Sequence, residues 1–145
     1  MALIETRDLV KTYTLGEIVV KALSGVTLSI EDEEFVVLAG RSGSGKTTLL
    51  NMLGALDMPD SGTVRVRGKE FRNLSKDKRA LFRLRHIGFV FQAYNLIRVL
   101  SARENVAYVL ELQGITKVER LDRASMWLEE VGLGKMGDRR PDQLS

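Results

Sequence analysis

The sequence predicts an α/β fold, and three observations carry that prediction. Val26-Thr27-Leu28-Ser29-Ile30 alternates apolar and polar residues with the period of a half-buried strand. Phe35-Val36-Val37-Leu38-Ala39 is continuously apolar, as in strands covered on both faces, and leads through a glycine-rich turn into a helical stretch. Helical periodicity dominates the second half of the chain.

Taken in order, Leu3 to Val10 reads as a strand, Ile18 to Leu23 as a second and Val26 to Ile30 as a third. Phe35 to Ala39 is expected as a strand, followed by a helix from Lys46 to Leu56 with a stripe of Leu49, Leu50, Leu53 and Leu56. Strand, glycine-rich loop and helix in that order open a βαβ unit. Pro59-Asp60-Ser61-Gly62 is a turn, and Thr63 to Arg67 alternates as a strand. Ser75 to Arg85 forms a charged helix with Leu81 and Leu84 on one side, and Ile87 to Phe91 is expected as a further strand. Ser101 with Glu104 is a capping box, so a helix starts there and runs to about Gln113. A last amphipathic helix covers Val118 to Val131 and closes at Gly132. No internal repeat and no low-complexity tract occurs.

Composition narrows the function. The 145 residues fit one domain, and 44% hydrophobic residues is an ordinary globular level. The absence of cysteine excludes a disulfide framework and a thiolate metal site. Apolar runs fall far short of the ~20 residues that span a bilayer. The start, Met1 to Asp8, lacks a basic segment followed by an apolar core, so no signal peptide is expected. The expectation is a soluble protein of a reducing, intracellular compartment. A net charge of +3 weakly favours anionic partners.

Gly40-Arg41-Ser42-Gly43-Ser44-Gly45-Lys46-Thr47 matches the phosphate-loop pattern G-x-x-x-x-G-K-[ST]. At average composition this match arises by chance in fewer than about 1% of chains this long. Each part has a chemical purpose. Glycines let backbone N–H groups close on phosphate oxygens, and the following helix adds its positive end. Lys46 supplies a point charge, Thr47 a hydroxyl for Mg²⁺, and Thr48 a reach toward a phosphate.

The flanks narrow the class. Leu9-Val10-Lys11-Thr12-Tyr13, Ala22 to Val26, the loop itself, Leu53 to Gly62 and Arg85 to Gln92 are followed by Glu104-Asn105-Val106 and Pro141 to Ser145. In that order they make the whole chain resemble the ATP-binding subunit of ABC transporters, within the lipoprotein-release and macrolide-export group. The resemblance implies an antiparallel β subdomain, an incomplete RecA-like core and part of the helical subdomain. Residues 1–92 would hold the β subdomain and loop core, and 93–145 the Q-loop and helical part.

By the same resemblance, Tyr13 stacks on adenine, and Gln92 is the Q-loop glutamine that meets Mg²⁺ or the attacking water. Leu144 and Ser145 open the signature that caps the nucleotide of the opposite subunit. The implied ligands are ATP and Mg²⁺, the partners a second ATP-binding subunit and a transmembrane permease. The implied place is the cytoplasmic face of the membrane. Arg41 stands where the group commonly has proline, with no loss of binding expected because the loop binds through its backbone. The Walker B aspartate, general-base glutamate and switch histidine of the family are expected beyond Ser145. The 145 residues alone are therefore expected to bind Mg-ATP weakly, hydrolyse it negligibly and fold with low stability.

Other acidic and basic features read as scaffolding. Glu111, Glu129 and Glu130 lie in helical segments and suit solvated faces. The basic run Arg72 to Arg85 has only Phe82 as an aromatic, so it does not read as a nucleic-acid patch. His86 suits local hydrogen bonding. A non-hydrolysing nucleotide-binding fragment is the alternative reading. A small-molecule kinase would leave Tyr13, Gln92 and the Leu144-Ser145 ending unexplained.

Overall fold

The computed structural model describes residues 2–144, so Ser145 lies outside the described residues. The chain divides into two compact units, Met1–Arg83 and Leu84–Ser145. The first holds β1 (Ile4–Leu15), β2 (Ile18–Ile30), α1 (Lys46–Leu53), β3 (Ser61–Val66) and β4 (Lys69–Glu70). α2 (Lys76–His86) crosses the division, and the second unit holds α3 (Ala102–Leu112) and α4 (Lys117–Glu130).

The four strands form one antiparallel sheet in the order β2-β1-β3-β4. β1 is central: Ile4 pairs with Ile30 on one side and Val66 on the other. β1 and β2 are a long hairpin closed by Glu17 and Gly16 between Leu15 and Ile18. The two early strands expected at Ile18–Leu23 and Val26–Ile30 are one strand. Leu9 pairs with Val26 while Val10 pairs with Ser24, so Gly25 is an extra residue, and its φ of 81° lets β2 bulge rather than break. Opposite it, β1 bulges near Asp8, and Gly62 of β3 passes close by. A Cβ on Gly62 would stand 2.4 Å from the carbonyl oxygens of Arg7 and Asp8. Thr6 is buried in this bulged region with its hydroxyl satisfied. It donates to Val26 O at 3.1 Å and accepts from Leu28 N at 3.0 Å.

α1 packs on this sheet through Leu49, Met52 and Leu53, against a core that includes Leu9, Leu23, Val64, Val66 and Phe71. It ends three residues earlier than the leucine stripe suggests. Ala55 adopts φ 54°, its N–H bonds to Met52 O at 3.0 Å, and Leu56 N–H bonds back to Asn51 O at 2.8 Å. This is a Schellman closure with alanine in the left-handed position, so Leu50 and Leu56 stay exposed. Phe71 meets Phe82 of α2 edge-on at 5.5 Å.

In the second unit, α3 and α4 bury Ala102, Ala107, Leu110, Ala124 and Leu128. The capping box at Ser101 and Glu104 is complete in both directions, at 3.2 and 2.8 Å. The Asn105 side chain stitches the preceding loop to the helix. It donates to Ile97, Leu100 and Ser101 carbonyls at 2.9–3.1 Å and accepts from Ile97 N at 2.8 Å.

Two expected strands are corrected. Neither Phe35–Ala39 nor Ile87–Phe91 is a strand; both run without a ladder. A strand exists only by pairing, and among the described residues no strand lies alongside either segment. Phe35 is 90% and Val37 71% exposed, and Val90 is fully exposed. Phe89 and Phe91 stack on each other at 5.6 Å. The parallel βαβ pairing expected around the glycine-rich loop is absent from the described residues, where the sheet is wholly antiparallel.

Candidate functional site

The glycine-rich loop joins the extended segment 35–39 to α1. Gly40, Gly43 and Gly45 have φ of 155°, 79° and 87°. Ser44 N–H bonds to Arg41 O at 3.2 Å and tightens the turn. Gly45 is held by more than its torsion. A Cβ there would stand 2.4 Å from the carbonyl oxygen of Ala22 on β2, so the loop is seated against the sheet.

Gly45 is also the N-cap of α1 and supplies no side-chain acceptor. The first i→i+4 bond, Leu49 N–H to Gly45 O at 2.8 Å, leaves the preceding N–H groups of the first turn without helical partners. Those donors and the helix dipole make a receptor for an anion. The Lys46 ammonium curls back over the loop and donates to Gly40 O and Arg41 O at 2.8 Å each and to Ser44 Oγ at 3.4 Å. It is a cation held at the loop's centre by neutral oxygens. Thr47, Arg41 and Ser42 are exposed.

Tyr13, near the end of β1, lies in a polar cluster of the same unit. Its hydroxyl donates to Asp57 Oδ2 at 2.8 Å. Lys11 lies two residues earlier on the same strand face. Its ammonium donates to Asp57 Oδ1 at 3.3 Å and Met58 O at 2.8 Å, pairs with Asp60 at 3.5 Å, and sits 5.3 Å from the centre of the Tyr13 ring. Asp57 Oδ1 also accepts from Met58 N at 2.7 Å, and Asp60 Oδ2 from Thr12 N at 2.7 Å.

The charges follow this geometry. Burial alone would push the Asp57 carboxyl up, but the Tyr13 hydroxyl, the Met58 N–H and Lys11 together hold it below its ordinary value. Burial would lower Lys11, yet hydrogen bonding and the charge of Asp57, then Asp60, raise it. The Tyr13 phenol is raised by burial and by Asp57, against smaller opposing effects of Thr48 and Lys11, so its neutral form is favoured. The sequence had set Tyr13 apart but gave Lys11, Asp57 and Asp60 no role. The signal available was two acids flanking the Pro59 turn and a lysine in phase with the tyrosine.

In the second unit, Gln92 lies in an exposed bend after residues 87–91. Leu144 is half-buried just after the turn Pro141–Gln143, and a cleft of about 640 Å³ is lined by Tyr94, Leu96, Arg98, Leu133, Met136 and Leu144, among others. Glu111 is an exposed helical residue paired with Arg120 at 3.1 Å, and Glu129 and Glu130 lie on exposed α4 positions, as solvated faces should. Among the described residues no group of three or more His, Asp or Glu is placed to hold a metal. A divalent ion here would take most of its oxygens from a bound phosphate chain, with Thr47 as a protein donor. That suits Mg²⁺, which keeps few protein ligands.

Comparison with known proteins gives one answer. The family described as ABC transporter matches residues 23–145. The chain is 48% identical, over 100% of its length, to 21% of a macrolide export ATP-binding/permease protein, MacB, of Syntrophobacter fumaroxidans. It is 46% identical, over 97% of its length, to 60% of an ABC transporter ATP-binding protein of Thermotoga maritima. The chain thus spans about a fifth and three fifths of these relatives. In structure it resembles a chain of the dimeric structure of an ATP-binding cassette in a post-hydrolysis state bound to ADP and Pi. The TM-score is 0.91 at 38% identity, over 98% of this chain and 63% of that one. A second dimeric structure, of a bacterial ABC transporter cassette, gives 0.91 at 39% with the same coverage.

Proposed function

The chain belongs to the ABC transporter family, and from that premise we propose that it is the ATP-binding part of a transporter that couples ATP to export or membrane release of a substrate. The observation that carries this is the seat of Lys46. An ammonium resting on neutral carbonyls beneath an uncapped helix N-terminus has its full charge available to a phosphate chain.

Binding then proceeds by exchange. The backbone N–H groups of the loop Gly40, Arg41, Ser42, Gly43, Ser44, Gly45 and of Lys46, Thr47 and Thr48 close on phosphate oxygens, and Lys46 trades carbonyl oxygens for phosphate ones. Tyr13 offers a π-face to the adenine. Mg²⁺, when bound with ATP, would supply charge neutralisation at the phosphates. By the family resemblance, Thr47 would offer its hydroxyl to that ion and Gln92 its amide to the ion or to the attacking water. Leu144 and Ser145 would face the nucleotide of a second subunit, so the working unit is a head-to-tail dimer.

The partner in the membrane is a permease. Two observations support this. The second unit exposes Tyr94, Val99, Tyr108, Val109 and Leu112, apolar surface of the kind that marks an interaction site. The MacB relatives carry ATP-binding and permease functions under one name. The protein would sit on the cytoplasmic face of the membrane.

A second reading, a nucleotide-binding chain without turnover, applies to the 145 residues taken alone. The bonded partners of Lys46 are all inside its own loop, and no carboxylate is among them. One experiment addresses both. ATP binding is measured by calorimetry and phosphate release by a coupled assay, for this chain and for Lys46→Ala. The expected outcome is ATP binding that Lys46→Ala weakens about 100-fold, the loss of a charge-assisted contact to each of two phosphates, with negligible turnover in both. Unchanged affinity in Lys46→Ala would overturn the phosphate-loop reading, and steady turnover abolished by the substitution would overturn the second.

A further inference from the structure

We propose that Asp57 and Lys11 are positioning residues for Tyr13, fixing its ring so that one face only is offered to the nucleotide base. This deepens the function proposed above and rests on its reading of Tyr13 as the base-stacking residue.

The argument starts with the two ends of the tyrosine side chain. At one end, β1 fixes the backbone, with Tyr13 paired to Val20. At the other, the hydroxyl is tethered to Asp57, which lies in the turn between α1 and β3. A planar ring held at both ends has little freedom left about either side-chain torsion. Asp57 is itself fixed, by the N–H of Met58 and by Lys11.

The two faces of the ring are not equivalent. Lys11 stands over one of them. Its ammonium is engaged by Asp57, Asp60 and the Met58 carbonyl, and its side chain is only 13% exposed. A base approaching that face would have to displace a cation with three oxygen partners. Asp57 lies in the turn that follows α1, so its bond to the hydroxyl joins Tyr13 to the segment leaving the helix of the glycine-rich loop. A ring ordered before the nucleotide arrives loses less rotamer entropy on binding than a loose one. Neither Asp57 nor Lys11 need touch the nucleotide; both act through Tyr13.

The test separates the base from the phosphates. The 145-residue chain is titrated calorimetrically with ATP and with inorganic tripolyphosphate, each with Mg²⁺, and the ratio of the two affinities reports the base. Tyr13→Ala is expected to collapse that ratio. If it does not, the stacking reading has failed and this proposal falls with it. If it does, the tether is tested by Tyr13→Phe, which keeps the ring, and by Asp57→Ala. Each is expected to weaken ATP about five-fold, one hydrogen bond's net contribution, with tripolyphosphate unchanged. The double variant should be no weaker than either single one, because both remove the same bond. Should Asp57→Ala fail to fold, Tyr13→Phe still reads the tether. With Tyr13→Ala sensitive, three results would overturn the proposal: Tyr13→Phe without effect on ATP, equal loss of both ligands in Asp57→Ala, or additive losses in the double variant.

Discussion

Gly45 shows how much one residue can be asked to do. It takes a left-handed backbone torsion, caps α1 without a side chain, and lies where any Cβ would meet the Ala22 carbonyl at 2.4 Å. The left-handed torsion alone costs an L-residue about 1–2 kcal/mol, before the contact with backbone is counted. Gly45→Ala should therefore lose ATP affinity by about ten-fold or more, with the sheet still formed; calorimetry with circular dichroism checks both. The Asp57 cluster makes a prediction in pH. Asp57 is held below its ordinary 3.8, so its contribution to stability is complete above that value and is lost as pH falls through the lowered one. Lys11 and Tyr13 are raised from 10.5 and 10.0, so theirs is complete below those values and lost as pH rises through the raised ones. Melting temperature against pH should show both limbs, and Asp57→Asn should shrink both, since Asp57 is common to all three shifts. The sequence singled out Tyr13 by resemblance. Its bond to Asp57 was not legible, because it spans two elements distant in sequence, and no periodicity reports such a pair.

Among the elements, the helices were the most legible. α3 starts after Ser101 because hydroxyl and carboxylate satisfy two backbone donors that the helix leaves open. All the chemistry sits within four residues, so it shows in the sequence. Replacing Ser101 by alanine should cost about 1 kcal/mol, read as a lower midpoint in urea at unchanged slope. The end of α1 was misjudged for a related reason. Its leucines continue the helical period to Leu56, but Ala55 turns left-handed and two Schellman bonds close the helix first. Alanine carries no signal for that torsion; glycine would have. β2 was read as two strands because Gly25 looks like punctuation, whereas the facing register of β1 absorbs it as a bulge. Bulge and break differ only in what the neighbouring strand does.

For the whole molecule, the segments at Phe35–Ala39 and Ile87–Phe91 decide the outcome. Full burial of a Val or Phe side chain is worth about 1.5–3 kcal/mol. Phe35, Val37 and Val90 forgo most of that, a sum comparable with the ~5–15 kcal/mol that keeps a domain folded. Their unpaired N–H and C=O groups also offer an edge to other chains. The 145-residue chain alone should melt at or below about 45 °C, the lower end of the usual mesophile range, with aggregation that rises with concentration. Differential scanning with light scattering checks this, and a cooperative transition well above that range would count against it.

Read alone, the sequence determined the elements whose physics is local: the glycine-rich phosphate loop, the capping box, the amphipathic helices and the alternation at the end of β2 and in β3. It also determined the family, because the ordered segments from Leu9 to Leu144 occur together in it. Only the tertiary structure decided which apolar segments become strands, where β2 bends and α1 stops, and what holds Tyr13. A strand is a property of two chains side by side, and a positioned ring is a property of all the atoms that touch it. An apolar run states a capacity for burial; whether a partner meets it is settled in three dimensions.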